Sequence, residues 1–83
     1  MAMIGEIVLF AGSYAPRGWK VCNGQELDSW TYTALYGIMG QKYGGQIWSD
    51  NFALPNLPKV ADSDGQGESM YIICVEGSYP APP

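Results

Sequence analysis

Eighty-three residues suffice for one small domain, and a hydrophobic share of 47% that includes three Trp and six Tyr supplies a core for it. Four Lys and Arg against eight Asp and Glu leave a net charge of −4. No cationic face is left to hold a phosphate backbone or an anionic membrane surface, so nucleic acid and membrane are excluded as expected partners. The absence of His removes the commonest general base and the commonest transition-metal ligand, which points away from enzyme and metal chemistry.

In chain order, residues 4–11 alternate Ile7, Leu9 and Ala11 against Val8 and Phe10 and read as a strand. Because both faces are apolar after Glu6, the strand is expected to be covered on two sides or to lie at a sheet centre. A loop, residues 12–18, leads to the stretch around which the chain is organised, Ala15-Pro16-Arg17-Gly18-Trp19-Lys20-Val21-Cys22-Asn23-Gly24-Gln25. Pro16 and Gly18 make a turn, and Trp19 and Val21 alternate with Lys20 and Cys22 as a short strand. Asn23-Gly24 is the residue pair that a two-residue type I′ hairpin requires, so residues 25–27 are expected to pair back on 19–22.

From Asp28 or Ser29, either of which can cap a helix, Tyr32, Leu35, Tyr36 and Met39 recur at helical spacing, with Gly37 or Gly40 as the stop. Residues 41–51 read as a surface loop held by a few large side chains. Phe52-Ala53-Leu54-Pro55-Asn56-Leu57-Pro58 is extended, since a residue before Pro avoids helical geometry, and Phe52, Leu54 and Leu57 pin it over the core. Residues 61–69 are polar, acidic and glycine-containing, and are expected to be the most mobile stretch. Met70-Tyr71-Ile72-Ile73-Cys74-Val75 is the strongest β segment and reads as a central strand beside residues 4–11. The fold class is α+β: a small, mostly antiparallel β-sheet with one short helix and long ordered loops. Residues 1–79 form one domain and residues 80–83 a Pro-rich tail. No apolar run reaches the ~20 residues of a membrane span, and no signal peptide is expected.

Several blocks in one order carry a family resemblance. They are Gly5-Glu6-Ile7-x-x-Phe10-Ala11-Gly12, Pro16-x-Gly18-Trp19-x-x-Cys22-x-Gly24-Gln25-x-Leu27, Ala34-Leu35-Tyr36 with Gly40, Tyr43-Gly44-Gly45, Phe52-x-Leu54-Pro55-x-Leu57, and Tyr71-Ile72-Ile73-x-x-Glu76-Gly77. Together they cover roughly residues 4 to 79, and the chain resembles a minimal member of the phage tail collar domain family, which includes the microcystin-dependent-protein-like tail proteins. The resemblance implies a non-enzymatic component of a phage tail fibre or tail-like particle, made in the bacterial cytoplasm, that acts in assembly or host-surface attachment. Its implied partners are other tail or fibre proteins and a cell-surface glycan. Longer members carry a glycine-rich insertion and often histidines after the Leu-Pro-x-Leu block; this chain has neither, so no metal or cofactor is carried over. The alternative is a free-standing carbohydrate-binding, lectin-like module, and a further one is a cytosolic bacterial protein on the same fold.

Candidate sites follow from side-chain chemistry. Asp62-x-Asp64-Gly65 with Glu68 lacks the spacing of a calcium loop and reads as a solvated turn. Glu6, Glu26, Asp28, Asp50 and Glu76 show no spacing that makes a catalytic pair. Cys22 without His, and Ser13 and Ser69 outside any nucleophile motif, give no acyl-transfer arrangement, so no catalytic residue is assigned. Cys22 and Cys74 are either bridged across a long loop or two buried thiols, the latter favoured for a reducing cytosol, and in both cases chemically quiet. Gly18, Trp19, Cys22, Gly24, Leu54, Pro55 and Cys74 are assigned structural roles, with Trp19 as an anchor. Phe10, Tyr32, Phe52 and Tyr71 fall on core positions. Tyr14, Trp30, Tyr43 and Trp48 lie in loops or at element ends, where they either face a partner or cap a core too small to hide them. The isolated domain is expected to be a monomer or weak homo-oligomer.

Overall fold

The computed structural model describes residues 2–44, 50–63, 65 and 67–79. The elements are β1 (Ile7–Phe10), β2 (Trp19–Val21), β3 (Glu26–Asp28), α1 (Thr33–Met39), β4 (Asn51–Ala53), β5 (Val60–Ala61) and β6 (Glu68–Cys74). This is a small α+β fold of antiparallel strands in two sheets with one short helix.

As its apolar run suggests, β6 is central: β1 pairs with it on one side (Ile7 with Ile73, Phe10 with Met70) and β2 on the other (Trp19 with Cys74, Val21 with Ile72). Side chains of directly paired residues share a face, so Ile73 and Tyr71 point one way and Met70, Ile72 and Cys74 the other. On the first face Ile73 joins Ile4, Cys22, Leu27, Leu35, Phe52, Leu54 and Val75 in the main core. On the second, Met70, Ile72 and Cys74 are buried among Val8, Phe10, Trp19 and Val21. Trp19 is half-buried there, outside the main core.

Because β1 and β2 are both antiparallel to β6, they run parallel to each other, and residues 11–18 must return along the sheet before β2 begins. Gly12 starts that return against the Phe10 ring, so closely that a Cβ on it would overlap the ring. The return ends in the turn expected from Pro16 and Gly18: Trp19 N–H donates to the Pro16 carbonyl at 3.0 Å, with Gly18 at φ +87°. The Gly18 carbonyl in turn accepts the Val75 and Glu76 N–H groups at 2.8 and 3.2 Å, fastening the turn to the end of β6.

Three expectations are corrected. Asn23-Gly24 does not close a hairpin: Asn23 lacks the positive φ of a type I′ turn, and residues 25–27 do not return to β2. The segment instead runs antiparallel to residues 50–57, from Leu57 N–H on the Cys22 carbonyl (2.9 Å), through an Asn23–Asn56 bridge and Leu54 N–H on the Gln25 carbonyl (2.9 Å), to Ser29 N–H on the Asp50 carbonyl (2.7 Å). The extended Phe52 block is therefore a strand partner, with Leu27 opposite Phe52 in the β3–β4 pair. Second, β1 is neither central nor covered on both sides; it is an edge strand with Ile7 and Leu9 exposed. Third, neither Asp28 nor Ser29 caps the helix: Tyr32 stands at the cap with no side-chain bond, because residues 29–32 form a turn in which Asp28 accepts the Trp30 N–H at 3.0 Å and the Thr31 hydroxyl at 2.9 Å. The helix itself buries Leu35 completely and ends at Gly40.

Candidate functional site

Cys22-x-Gly24-Gln25-x-Leu27 lies against Phe52-x-Leu54-Pro55-x-Leu57 along its whole length, so two blocks far apart in the chain form one ribbon. Gly24 takes φ +81° where its N–H reaches the Pro55 carbonyl at 3.2 Å, and a Cβ there would stand 3.3 Å from Asn56 Cβ. The Gln25 side chain donates back to the Val21 carbonyl at 2.9 Å, bracing the step from β2 into the ribbon. Leu54 and Pro55 are buried. These residues hold the framework on which the loops stand.

The two cysteines lie apart inside the fold. Both are free thiols and buried. Cys22 N–H bonds the Tyr71 carbonyl, three residues before Cys74 on β6, which sets the two cysteines about 10 Å apart along the strand direction, beyond the ~7 Å that a disulfide tolerates. They also face opposite ways: Cys22 lies in the main core, whereas Cys74 lies beside Trp19 and its thiol donates to the Glu76 carbonyl at 3.2 Å. Burial raises the Cys22 thiol above its ordinary value. The native state thus holds that proton more tightly than the unfolded chain, and this contribution to stability, present below the ordinary thiol pKa, is lost as pH rises above it. At neutral pH an alkylating reagent should leave both cysteines unmodified in the native protein and modify both in urea. Rapid native labelling, read by intact mass, would contradict this arrangement.

Among the described residues no group of three His, Cys, Asp or Glu is placed to hold a metal ion. Asp62 serves the β5–β6 hairpin instead. Its N–H donates to the Gly67 carbonyl at 2.8 Å, its carbonyl accepts the Gly65 N–H at 3.0 Å, and its carboxylate accepts the buried Ser69 hydroxyl at 3.0 Å. Asp64, the other acid of the calcium-like pattern, lies outside the described residues.

The aromatic candidates divide cleanly. Tyr14, on the return between β1 and β2, is 77% exposed, and Trp30, between β3 and α1, is 76% exposed. The Trp30 backbone is nevertheless fixed: its N–H is held by Asp28 and its carbonyl accepts the Thr33 hydroxyl at 2.9 Å. A flat ring is thereby presented to solvent from a hydrogen-bonded turn, at little cost in ordering upon contact. Tyr43, after α1, is exposed, with the Lys42 ammonium 5.4 Å from its ring centroid. Trp48 lies outside the described residues. The rings of Tyr14, Trp30 and Tyr43 sit on three different connections and do not stack on one another; the ring contact among the described residues is Tyr36 with Phe52, in the core. Sequence reasoning passed over Tyr79, which is 60% exposed; its place between Ser78 and Pro80 near the chain end was the available signal.

A family model described as the phage tail collar domain matches residues 5–60, from two residues before β1 through the ribbon to the first residue of β5. The closing block on β6 lies beyond that match. No curated protein matches the chain. No helix among the described residues is long and apolar enough to cross a membrane.

Proposed function

Because the chain belongs to the phage tail collar domain family, whose domains are structural parts of the virion tail, we propose that it acts in tail assembly or host-surface attachment without catalysing a reaction. The observation that carries this reading is the pair of projecting rings, Tyr14 and Trp30, on a framework whose buried side-chain polar atoms are all satisfied among the described residues. Tyr and Trp give large contact area for little lost freedom, and both stack on sugar faces and on protein surfaces. The partners in this reading are other tail or fibre proteins or a cell-surface glycan, with exposed Tyr43 as a further candidate ring.

A lectin-like module that binds free sugar by itself is the second reading, favoured by the same rings. Both readings are tested with Tyr14→Ser and Trp30→Ser. As surface changes they should shift stability by no more than about 0.5 kcal/mol, while binding to host envelope or to a glycan array falls by about tenfold or more. Unchanged binding in both variants would overturn the assignment. Capture of free oligosaccharide by the isolated chain would favour the lectin over the tail component.

A further inference from the structure

Strand β1 ends its sheet, and its register with β6 fixes which of its backbone groups point outward. Cys74 N–H donates to the Glu6 carbonyl, which makes Ile7 and Ile73 a non-hydrogen-bonded pair. Val8 and Phe10 therefore turn their N–H and C=O groups toward β6, and Ile7 and Leu9 turn theirs away. Among the described residues no backbone group meets those of Ile7 and Leu9. Their side chains are also uncovered, at 40% and 49% exposure, and Ile38 of α1, likewise exposed, packs beside Gly5 at the foot of the same strand. Edge strands are ordinarily blunted by Lys, Pro or a bulge; Ile7-Val8-Leu9-Phe10 carries no Lys or Pro, and the bulge at Gly5-Glu6, where Gly5 takes φ +92° and both residues bond Cys74, precedes it.

We infer that β1 pairs with β1 of a second copy, antiparallel, about a two-fold axis passing between the two Val8 residues. The outward groups select this register: Ile7 of each copy exchanges N–H and C=O with Leu9 of the other, so each outward donor meets an acceptor. The exposed Ile7 side chain then lies beside Leu9 of the second copy on the same face. Glu6, the charge nearest the strand, falls opposite Phe10 of the second copy. The two Glu6 residues stand about 13 Å apart at ~3.3 Å per residue, beyond the ~8 Å screening length at physiological salt. This self-complementarity commits the edge to a second copy of the chain, and the symmetric contact closes on itself as a dimer instead of propagating. A net charge of −4 on each copy opposes association, so salt strengthens it.

Sedimentation velocity over rising concentration should show a monomer–dimer equilibrium that shifts toward dimer with added salt. Leu9→Lys should remain monomeric while keeping the wild-type urea midpoint, since Leu9 is half exposed. Amide exchange gives a second reading that needs no variant: Ile7 and Leu9 should gain protection as concentration rises, whereas Val8 and Phe10, already bonded to β6, should be protected throughout. A monomer up to the solubility limit would overturn the inference. So would association that survives Leu9→Lys or that leaves Ile7 and Leu9 exchange unchanged.

Discussion

Phe52→Ala should leave the domain at or near the edge of folding, with the urea midpoint collapsing or no cooperative transition remaining. Phe52 is fully buried in β4, opposite Leu27 in β3, its ring centroid 5.2 Å from that of Tyr36 on α1 at 50° between planes. One side chain thus joins the second sheet to the helix. Removing a buried Phe costs about 3–5 kcal/mol in lost transfer energy and residual cavity. A small domain holds only about 5–15 kcal/mol in total, and one of this length belongs toward the bottom of that range. Phe52→Leu keeps most of the volume and should cost only about 1–1.5 kcal/mol. Equal midpoints for the Ala and Leu variants would show that the ring is not the joint described here.

The contrast between Phe52 and Asn23-Gly24 explains what the sequence made legible. Phe52 was readable as a core residue because it is large, apolar and next to Leu54-Pro55, but its strand was not, because the partner, residues 22–29, is decided by long-range pairing that no local pattern encodes. Asn23-Gly24 sent the opposite message: a strong local hairpin signal, overruled because Gly24 is used to approach Pro55 and Asn56 instead of to reverse the chain. The Pro16–Gly18 turn and β6 were legible since each depends on residues adjacent in sequence. For β1, a run apolar on both faces reads alike at a sheet centre and at an edge, and only the register with β6 distinguishes them. Among the loop aromatics, composition left a partner-facing role and a core-capping role equal. Exposures of 77% and 76% separate Tyr14 and Trp30 from the core.

Gly77→Ala is expected to destabilise the domain clearly, for a reason that is invisible in the sequence. In the string Glu76-Gly77-Ser78 the glycine looks like a turn residue, yet its backbone is pressed against the other end of the chain. Ser78 N–H donates to the Ala2 carbonyl at 3.1 Å, Ile4 N–H donates to the Ser78 carbonyl at 2.8 Å, and Met3 and Ser78 form a parallel bridge. A Cβ on Gly77 would collide with that same Ala2 carbonyl and stand 3.1 Å from Cys74 Sγ. The obstacle is backbone and a fully buried thiol, neither of which can swing aside as an exposed side chain can. The terminal segment must shift, losing its two hydrogen bonds and loosening Ile4, a member of the main core. Overpacking of this kind costs about 1–3 kcal/mol, and the lost bonds place it at the upper end. Gly37→Ala provides the comparison: it lies inside α1, its Cβ would meet Tyr79 Oη at an ordinary 3.5 Å, and replacing a helical Gly by Ala should stabilise by about 0.5–1 kcal/mol. Urea midpoints should therefore move in opposite directions, and the Ile4 amide should exchange faster in Gly77→Ala alone. A Gly77→Ala midpoint equal to wild type would mean that the two terminal segments do not hold each other.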